Sequence, residues 1–206
     1  LHQLVEALLP DRNRSEEVVL RAVIEGAGGV GKTALAIKIA YRLREHYPDA
    51  QLFFRLEANT SNRVTGSSAR NAWLQRCAPE SKLPDDEIKL AAMFRSQLSR
   101  SDGRSMRAIV LVDDPYDAAD VAALNPPPGC ALLITSRSPI SLSTSVTLDP
   151  LSAEESVAFL ASACPRLARS AFTSEIADLC DRQPFALEIA AGHLLHNRSE
   201  PIEEYV

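Results

Sequence analysis

Apolar positions change their period along the chain, and the changes mark the elements. Leu1, Leu4, Val5, Leu8 and Leu9 recur at helical spacing. A polar stretch, "PDRNRSEE", connects them to "VVLRAVIE" (18–25), a short β-rich apolar run that predicts a strand. In "TALAIKIAYRLREHY" the stripe of Leu35, Ile39 and Leu43, with charges between, predicts a helix that Pro48-Asp49 breaks. "AQLFFRLEA" predicts the second strand. "NTSNRVTGSS" reads as loop and "ARNAWLQRC" as a short helix. Asp85 and Asp86 open a further helix with Ile88, Leu90, Ala91, Phe94 and Leu98 on its inner side, ended by Ser101-Asp102-Gly103. "RAIVLV" (107–112) and "ALLITSRS" are continuous apolar runs, as in strands buried on both faces. Between them lie a short helix, "DAADVAAL", and a turn, "NPPPGC". "SVTLDPL" is a last strand, leaving the sheet.

Strands and helices thus alternate up to about residue 148, and that alternation requires a parallel sheet with helices on both faces. The expected fold is α/β, a three-layer sandwich around a central parallel sheet. After Pro150 the alternation stops. "SAEESVAFLASAC", "SEIADLCDR" and "FALEIAAGHLL" are helical segments with no strand between them, and Ser152 and Glu155 form a capping signature at the first. The expected organisation is a sheet domain over 1–148 and a small helical domain over 149–206.

Composition narrows the function without naming it. The chain has 206 residues, 46% hydrophobic and 24% charged, an ordinary globular balance. The net charge of -5 gives no reason to expect direct nucleic-acid binding. No apolar run approaches a membrane span and no signal peptide opens the chain. The four cysteines (77, 130, 164 and 180) show no C-x-x-C spacing, which suits free thiols in a reducing compartment and a cytoplasmic location. His193 and His196 share a helix face but lack a third ligand nearby, so a solvated or capping role is expected.

The chemistry lies in "GAGGVGKT", which joins the first strand to the following helix and satisfies G-x-x-x-x-G-K-[ST]. Glycines at 26, 28, 29 and 31 permit positive φ and remove the Cβ atoms that would block phosphate. The N–H groups of Gly26, Ala27, Gly28, Gly29, Val30 and Gly31, continued by Lys32, Thr33 and Ala34 at the helix start, form an anion nest with the helix partial charge behind it. Lys32 reaches the β- and γ-phosphates, and the Thr33 hydroxyl ligates Mg²⁺. The run "AIVLVDD" places Asp113 at the carboxyl end of a strand, the edge where open α/β sheets bind ligands. There Asp113 holds Mg²⁺ through its water shell, and Asp114 is the candidate base for an attacking water. Thr135 and Arg137, ending the next strand, could reach the γ-phosphate from the side. The chain lacks N-K-x-D, a D-x-x-G after the acidic strand end, and L-S-G-G-Q. These absences argue against a Ras-like GTPase and an ABC ATPase.

Taken in order, "GAGGVGKTALA", "VLVDD", "LLITSR", "LDPLSAEES" and "CDRQPFALEIAA" resemble the NB-ARC-type nucleotide-binding modules of STAND signalling P-loop NTPases. "YPDAQLFFRLEAN" and "NPPPGCALLITSR" look most like the bacterial branch. The resemblance covers roughly residues 3 to 195. It implies that Lys32 and Thr33 bind phosphate and Mg²⁺, that Asp113 is the strand-end metal acid, that Arg137 is the sensor arginine, and that Pro184 packs on adenine. Pro184 also suits the first position of a helix. The family's G-L-P-L-A-L reads Arg182-Gln-Pro-Phe-Ala-Leu187 here, and Glu25 stands where a small or neutral residue is usual. The family's F-x-G-R segment and winged helix are not seen, so a piece of a longer protein is expected.

The function implied is a switch binding ATP or ADP with Mg²⁺. Slow ATP hydrolysis would control opening and self-assembly. Its partners would be other domains of the same chain: a winged helix, a repeat sensor and an effector. The alternatives are a turnover ATPase or small-molecule kinase, for which no acceptor motif is visible, and a non-hydrolysing scaffold, against which Asp114 argues.

Overall fold

The computed structural model describes residues 2–10, 18–58, 60–141, 144–197 and 201–204. Leu1, most of the polar connection before the first strand, and Asn59 of the expected loop lie outside the described residues. Contacts group the chain into two compact units: Leu1–Glu25 with Lys32–Thr147, and Gly26–Gly31 with Leu148–Val206. The glycine loop therefore groups with the second unit, whereas the sequence expectation assigned it to the sheet domain.

The first unit holds a five-stranded sheet in the order β2-β3-β4-β1-β5, with every adjacent pair parallel. The strands are β1 (Leu20–Glu25), β2 (Ala50–Arg55), β3 (Ala108–Asp113), β4 (Ala131–Ser136) and β5 (Ser145–Thr147). All six residues of β3 and of β4 are buried, as their unbroken apolar runs require. β2 alternates between exposed and partly buried positions along most of its length, because it is an edge. β5 does not depart from the sheet. It pairs with β1, Val23 opposite Ser145 through Glu25 opposite Thr147.

Helices α1 (His2–Leu8) and α2 (Lys32–Arg42) belong to this unit. α2 packs on β1, β3 and β4, burying Ala36 and Ile39. The tyrosine hydroxyl of Tyr47 donates to the Leu8 carbonyl and ties the end of α1 down. The crossover from β2 to β3 carries α3 (Gly66–Cys77) and α4 (Glu87–Gln97). Leu74, Leu90, Phe94 and Leu98 join Val110, Val112, Leu132 and Ile134 in one core. Phe94 meets Trp73 edge-on at 5.3 Å and Phe54 at 6.2 Å. A short helix, α5 (Ala118–Ala123), links β3 to β4.

Two local expectations are corrected. α3 begins at Gly66, inside the stretch read as loop. The Thr65 side chain accepts from the Ser68 N–H, and this cap starts the helix three residues before the first periodic residue. Ile88 is not on the inner side of α4: it is 78% exposed, while Leu90 and Phe94 are buried. Asp86 caps α4 by accepting from the Lys89 N–H, and this sets the helix phase.

The second unit contains α6 (Ala153–Ala163), α7 (Thr173–Leu179) and α8 (Pro184–His196), with short 3₁₀ turns at Leu167–Arg169 and Ile202–Glu204. Leu160, Cys164, Ile176, Leu187, Ala190 and Leu194 contribute to its core. The capping box is formed at both ends: Glu155 N–H donates to the Ser152 hydroxyl at 3.1 Å, and Ser152 N–H to the Glu155 carboxylate at 2.8 Å. Among the described residues no helix is long and apolar enough to cross a membrane. All four cysteines are free thiols, and burial pushes that of Cys130 up to about 11.

Candidate functional site

Parallel register assembles a polar row at the carboxyl edge of the first unit's sheet. Arg55 lies opposite Asp113, and Asp113 lies opposite Thr135. Registered residues of adjacent strands project to the same face. Thr33, in the first turn of α2, reaches this row from the helix.

The contacts are short and converge on one oxygen. Thr33 Oγ1 donates to Asp113 Oδ1 at 2.6 Å, and Thr135 Oγ1 donates to the same oxygen at 2.6 Å. On the other side, Arg55 Nε stands 3.6 Å from Asp113 Oδ2. The Asp113 side chain is only 6% exposed, so each of these partners offsets part of a desolvated charge. A hydroxyl and a carboxylate meeting at this distance are hard oxygen donors, and that donor set fits Mg²⁺.

Asp114 follows in the left-handed region, with φ of 54°, a conformation that aspartate tolerates better than most residues. Its N–H donates to the Thr135 carbonyl at 3.2 Å and to the Thr135 hydroxyl at 3.1 Å. The carboxylate accepts from Arg137 Nη2 at 3.1 Å. Lys32 is buried, and its amino group is held below the ordinary lysine value by burial and then by the nearby charge of Arg137, against the opposing pull of Asp114 and Asp113. Lys32, Asp113, Asp114 and Arg137 therefore form one electrostatic cluster.

Glycines of the loop take conformations that other residues rarely adopt. Gly26, Gly29 and Gly31 have φ of 147°, 79° and 98°, so side chains there would be strained. A Cβ on Gly31 would meet nothing within 4 Å, which leaves open space beside the backbone. Within the second unit, a Cβ on Gly26 would stand 2.4 Å from the Leu148 carbonyl oxygen, and Phe185 N–H donates to the Gly29 carbonyl at 3.2 Å. Ala27 and Gly28 are exposed, Val30 is buried, and Ala34 is exposed in the first turn of α2. Pro184 occupies the first turn of α8.

Arg55 carries no sequence signal, and the partner of Glu25 is not legible in the sequence. Arg55 ends an apolar run, and only strand register brings it to Asp113. Glu25 accepts from the Ile140 N–H at 3.0 Å, so the acid before the loop caps the segment that follows Arg137. His196 Nδ1 lies 2.7 Å from the Gly192 carbonyl oxygen, and the Asn197 side-chain nitrogen lies 3.3 Å from His193 Nδ1. Among the described residues no group of three or more His, Cys, Asp or Glu could hold a metal. A cavity of about 520 Å³, lined by Arg21, Tyr116, Val121 and Ile140 among others, includes none of residues 26–34.

No family model matches the chain. It is 33% identical over 190 residues to the regulatory protein AfsR of Streptomyces griseus, covering 88% of this chain and 19% of that protein. It is 31% identical over 118 residues to a nucleotide-binding leucine-rich repeat (NLR)-like protein of the fungus Hyaloscypha variabilis, covering 55% of this chain and 11% of that one. The Walker-type ATPase of Pyrococcus abyssi superposes with a TM-score of 0.59 at 15% identity, over 95% of this chain and 66% of that chain. With its parallel sheet, glycine loop and strand-end acid, the chain has the fold and the sequence pattern of a P-loop NTPase. Within that class the chain belongs to the NB-ARC-type modules of the STAND NTPases. It spans about one fifth of the length of its regulatory relative.

Proposed function

We propose that this module is an adenine-nucleotide switch: ADP holds it inactive, ATP releases it for self-assembly, and slow hydrolysis resets it. The observation that carries the reading is the Thr33–Asp113 contact, which joins the end of the glycine loop to the acid of β3. Loop N–H groups from Gly26 to Ala34 hold the phosphates, and Lys32 neutralises the β- and γ-oxygens. Thr33, through its hydroxyl, and Asp113, through its carboxylate, would hold Mg²⁺. Bound there, Mg²⁺ would supply charge neutralisation on the phosphates. Asp114 orients the attacking water and accepts its proton, and Arg137 faces the γ-phosphate. Pro184 takes the adenine-side role that the family resemblance implies.

The Asp114–Arg137 ion pair supports slow hydrolysis over rapid turnover. The base is occupied until the arginine is drawn to phosphate, so hydrolysis waits on a rearrangement. Because the chain spans a small part of its relatives, its partners are expected in other domains of the same protein. Lys32→Ala should weaken ADP binding by about one to two decades, the worth of a charge-assisted contact. Isothermal calorimetry would test this, and unchanged affinity would remove the nucleotide reading.

A further inference from the structure

Arg55 is the charged member of the polar row to which the proposed chemistry gives no work. It ends β2 in register with Asp113. The two threonine hydroxyls both go to Asp113 Oδ1, while the arginine faces Oδ2. The two sides of this pair differ in solvation. The Asp113 side chain is 6% exposed and that of Arg55 is 57% exposed. The arginine can therefore leave into water at little cost, whereas the carboxylate stays buried and gains from each positive neighbour. A second acid is within reach: Glu57 Oε1 lies 4.0 Å from Arg55 Nη1. The Glu57 backbone has φ of 52°, and the Leu56 and Ala58 N–H groups donate to the carbonyls of Asp113 and Asp114 at 3.0 and 3.1 Å. The segment carrying the second acid is thus pinned beside β3.

We propose that Arg55 is the resident counter-ion of Asp113, that it competes with Mg²⁺ for the carboxylate, and that it thereby sets the magnesium dependence of nucleotide binding. The inference rests on the nucleotide-and-magnesium function proposed above. A dication beside Asp113 satisfies the same negative charge and repels the guanidinium. Ion and arginine are then alternative partners, with Glu57 receiving the displaced arginine. The pair keeps a buried carboxylate neutralised between nucleotides, and part of the Mg²⁺ binding energy goes into displacing it.

The test is ADP affinity by calorimetry, with Mg²⁺ and with chelator, for the parent, Arg55→Met and Arg55→Lys, and for Asp113→Asn with and without Arg55→Met. In Arg55→Met the ratio of the chelator Kd to the Mg²⁺ Kd should rise about two- to fivefold, the range of a half-exposed ion pair. Arg55→Lys keeps the charge and should keep the parent ratio. In the Asp113→Asn background Arg55→Met should change nothing. A ratio that is unchanged or lowered in Arg55→Met overturns the proposal. So does equal weakening with and without Mg²⁺, which would make Arg55 a phosphate contact. If the parent binds ADP with magnesium dependence and Arg55→Met matches it, the counter-ion role alone fails. If the parent does not bind ADP, the nucleotide function fails and takes this role with it.

Discussion

Two aspartates of the sheet unit are almost equally buried, Asp113 at 4% and Asp120 at 5% exposure, yet their surroundings differ in kind. Asp120 accepts from the backbone N–H groups of Gly66 at 2.7 Å and Tyr116 at 3.1 Å, with Arg63 at 3.7 Å. Asp113 accepts from side-chain hydroxyls, with an arginine farther out. Backbone donors are fixed by the fold, so Asp120 clasps α5 to the start of α3, and of its partners only Arg63 can move. Hydroxyls rotate and arginines swing, so Asp113 can give up its partners to a ligand. Burial alone therefore does not separate the structural acid from the one to which the proposed function gives work. The mobility of its donors does.

The largest effect should come from breaking the fixed member of the pair. Asp120→Ala strands two backbone N–H groups, and the expected loss is about 2–4 kcal/mol in denaturant unfolding. Gly66→Ala attacks the same clasp from the other side, since its Cβ would stand 2.1 Å from the Asp120 carbonyl oxygen. Neither change should alter the ratio of ADP affinities with and without Mg²⁺; a changed ratio would merge the two acids into one site.

Asp113→Ala should give the opposite profile. Its donors can rotate to other acceptors, so the stability loss should stay near 1 kcal/mol. The gain in ADP affinity on adding Mg²⁺ should nearly vanish, while binding in chelator changes less. Loss of stability comparable to Asp120→Ala would show that the hydroxyl donors are as rigid as backbone.

A third acid sharpens the contrast at the small end of the scale. Glu87 pairs with Arg70, which is fully buried, while the Glu87 side chain is 62% exposed. Hydrogen bonds from Arg70 and then Ser67 hold the Glu87 carboxyl below its ordinary value. A depressed carboxylate contributes stability above its unfolded pKa, and that contribution is lost as pH falls through the folded value. Glu87→Gln should therefore be less stable than the parent by about 0.5 kcal/mol at neutral pH, with the gap closing below the carboxylate range. Melting curves at pH 7 and pH 3 would check it; a gap that persists in acid would assign the effect to packing.

Much of this arrangement was legible in the sequence because it depends on neighbours along the chain. The runs at 107–112 and 131–136 could only be strands buried on both faces, and the glycine loop between a strand and a helix limited its own chemistry. Asp113 was legible for the same reason: it ends an apolar run. What escaped depends on meetings across space. Arg55 becomes a partner of Asp113 only through β2–β3 register, and Glu25 meets Ile140 only after β4 lies beside β1. α3 starts early because one threonine side chain turns back on its own helix. The exposure of Ile88 follows from the phase set by Asp86, which a pattern of apolar residues does not show. The grouping of Gly26–Gly31 with the helical unit rests on contacts such as Phe185 with Gly29, between residues far apart in the chain.

The place of β1 in the sheet has a consequence in time. β1 is made before the other strands of this sheet, and its pairing partners are β4 and β5, with Leu20 opposite Ala131 and Val23 opposite Ser145. Both partners leave the ribosome more than a hundred residues after it. At about 5–20 residues per second, β1 must wait on the order of 5–20 seconds with its apolar side chains unpaired. β2 and β3 can pair with each other during that interval, because they are neighbours in the sheet. Within this sheet, the strand made first is thus among the last to be seated, and residues 20–25 stay unpaired the longest.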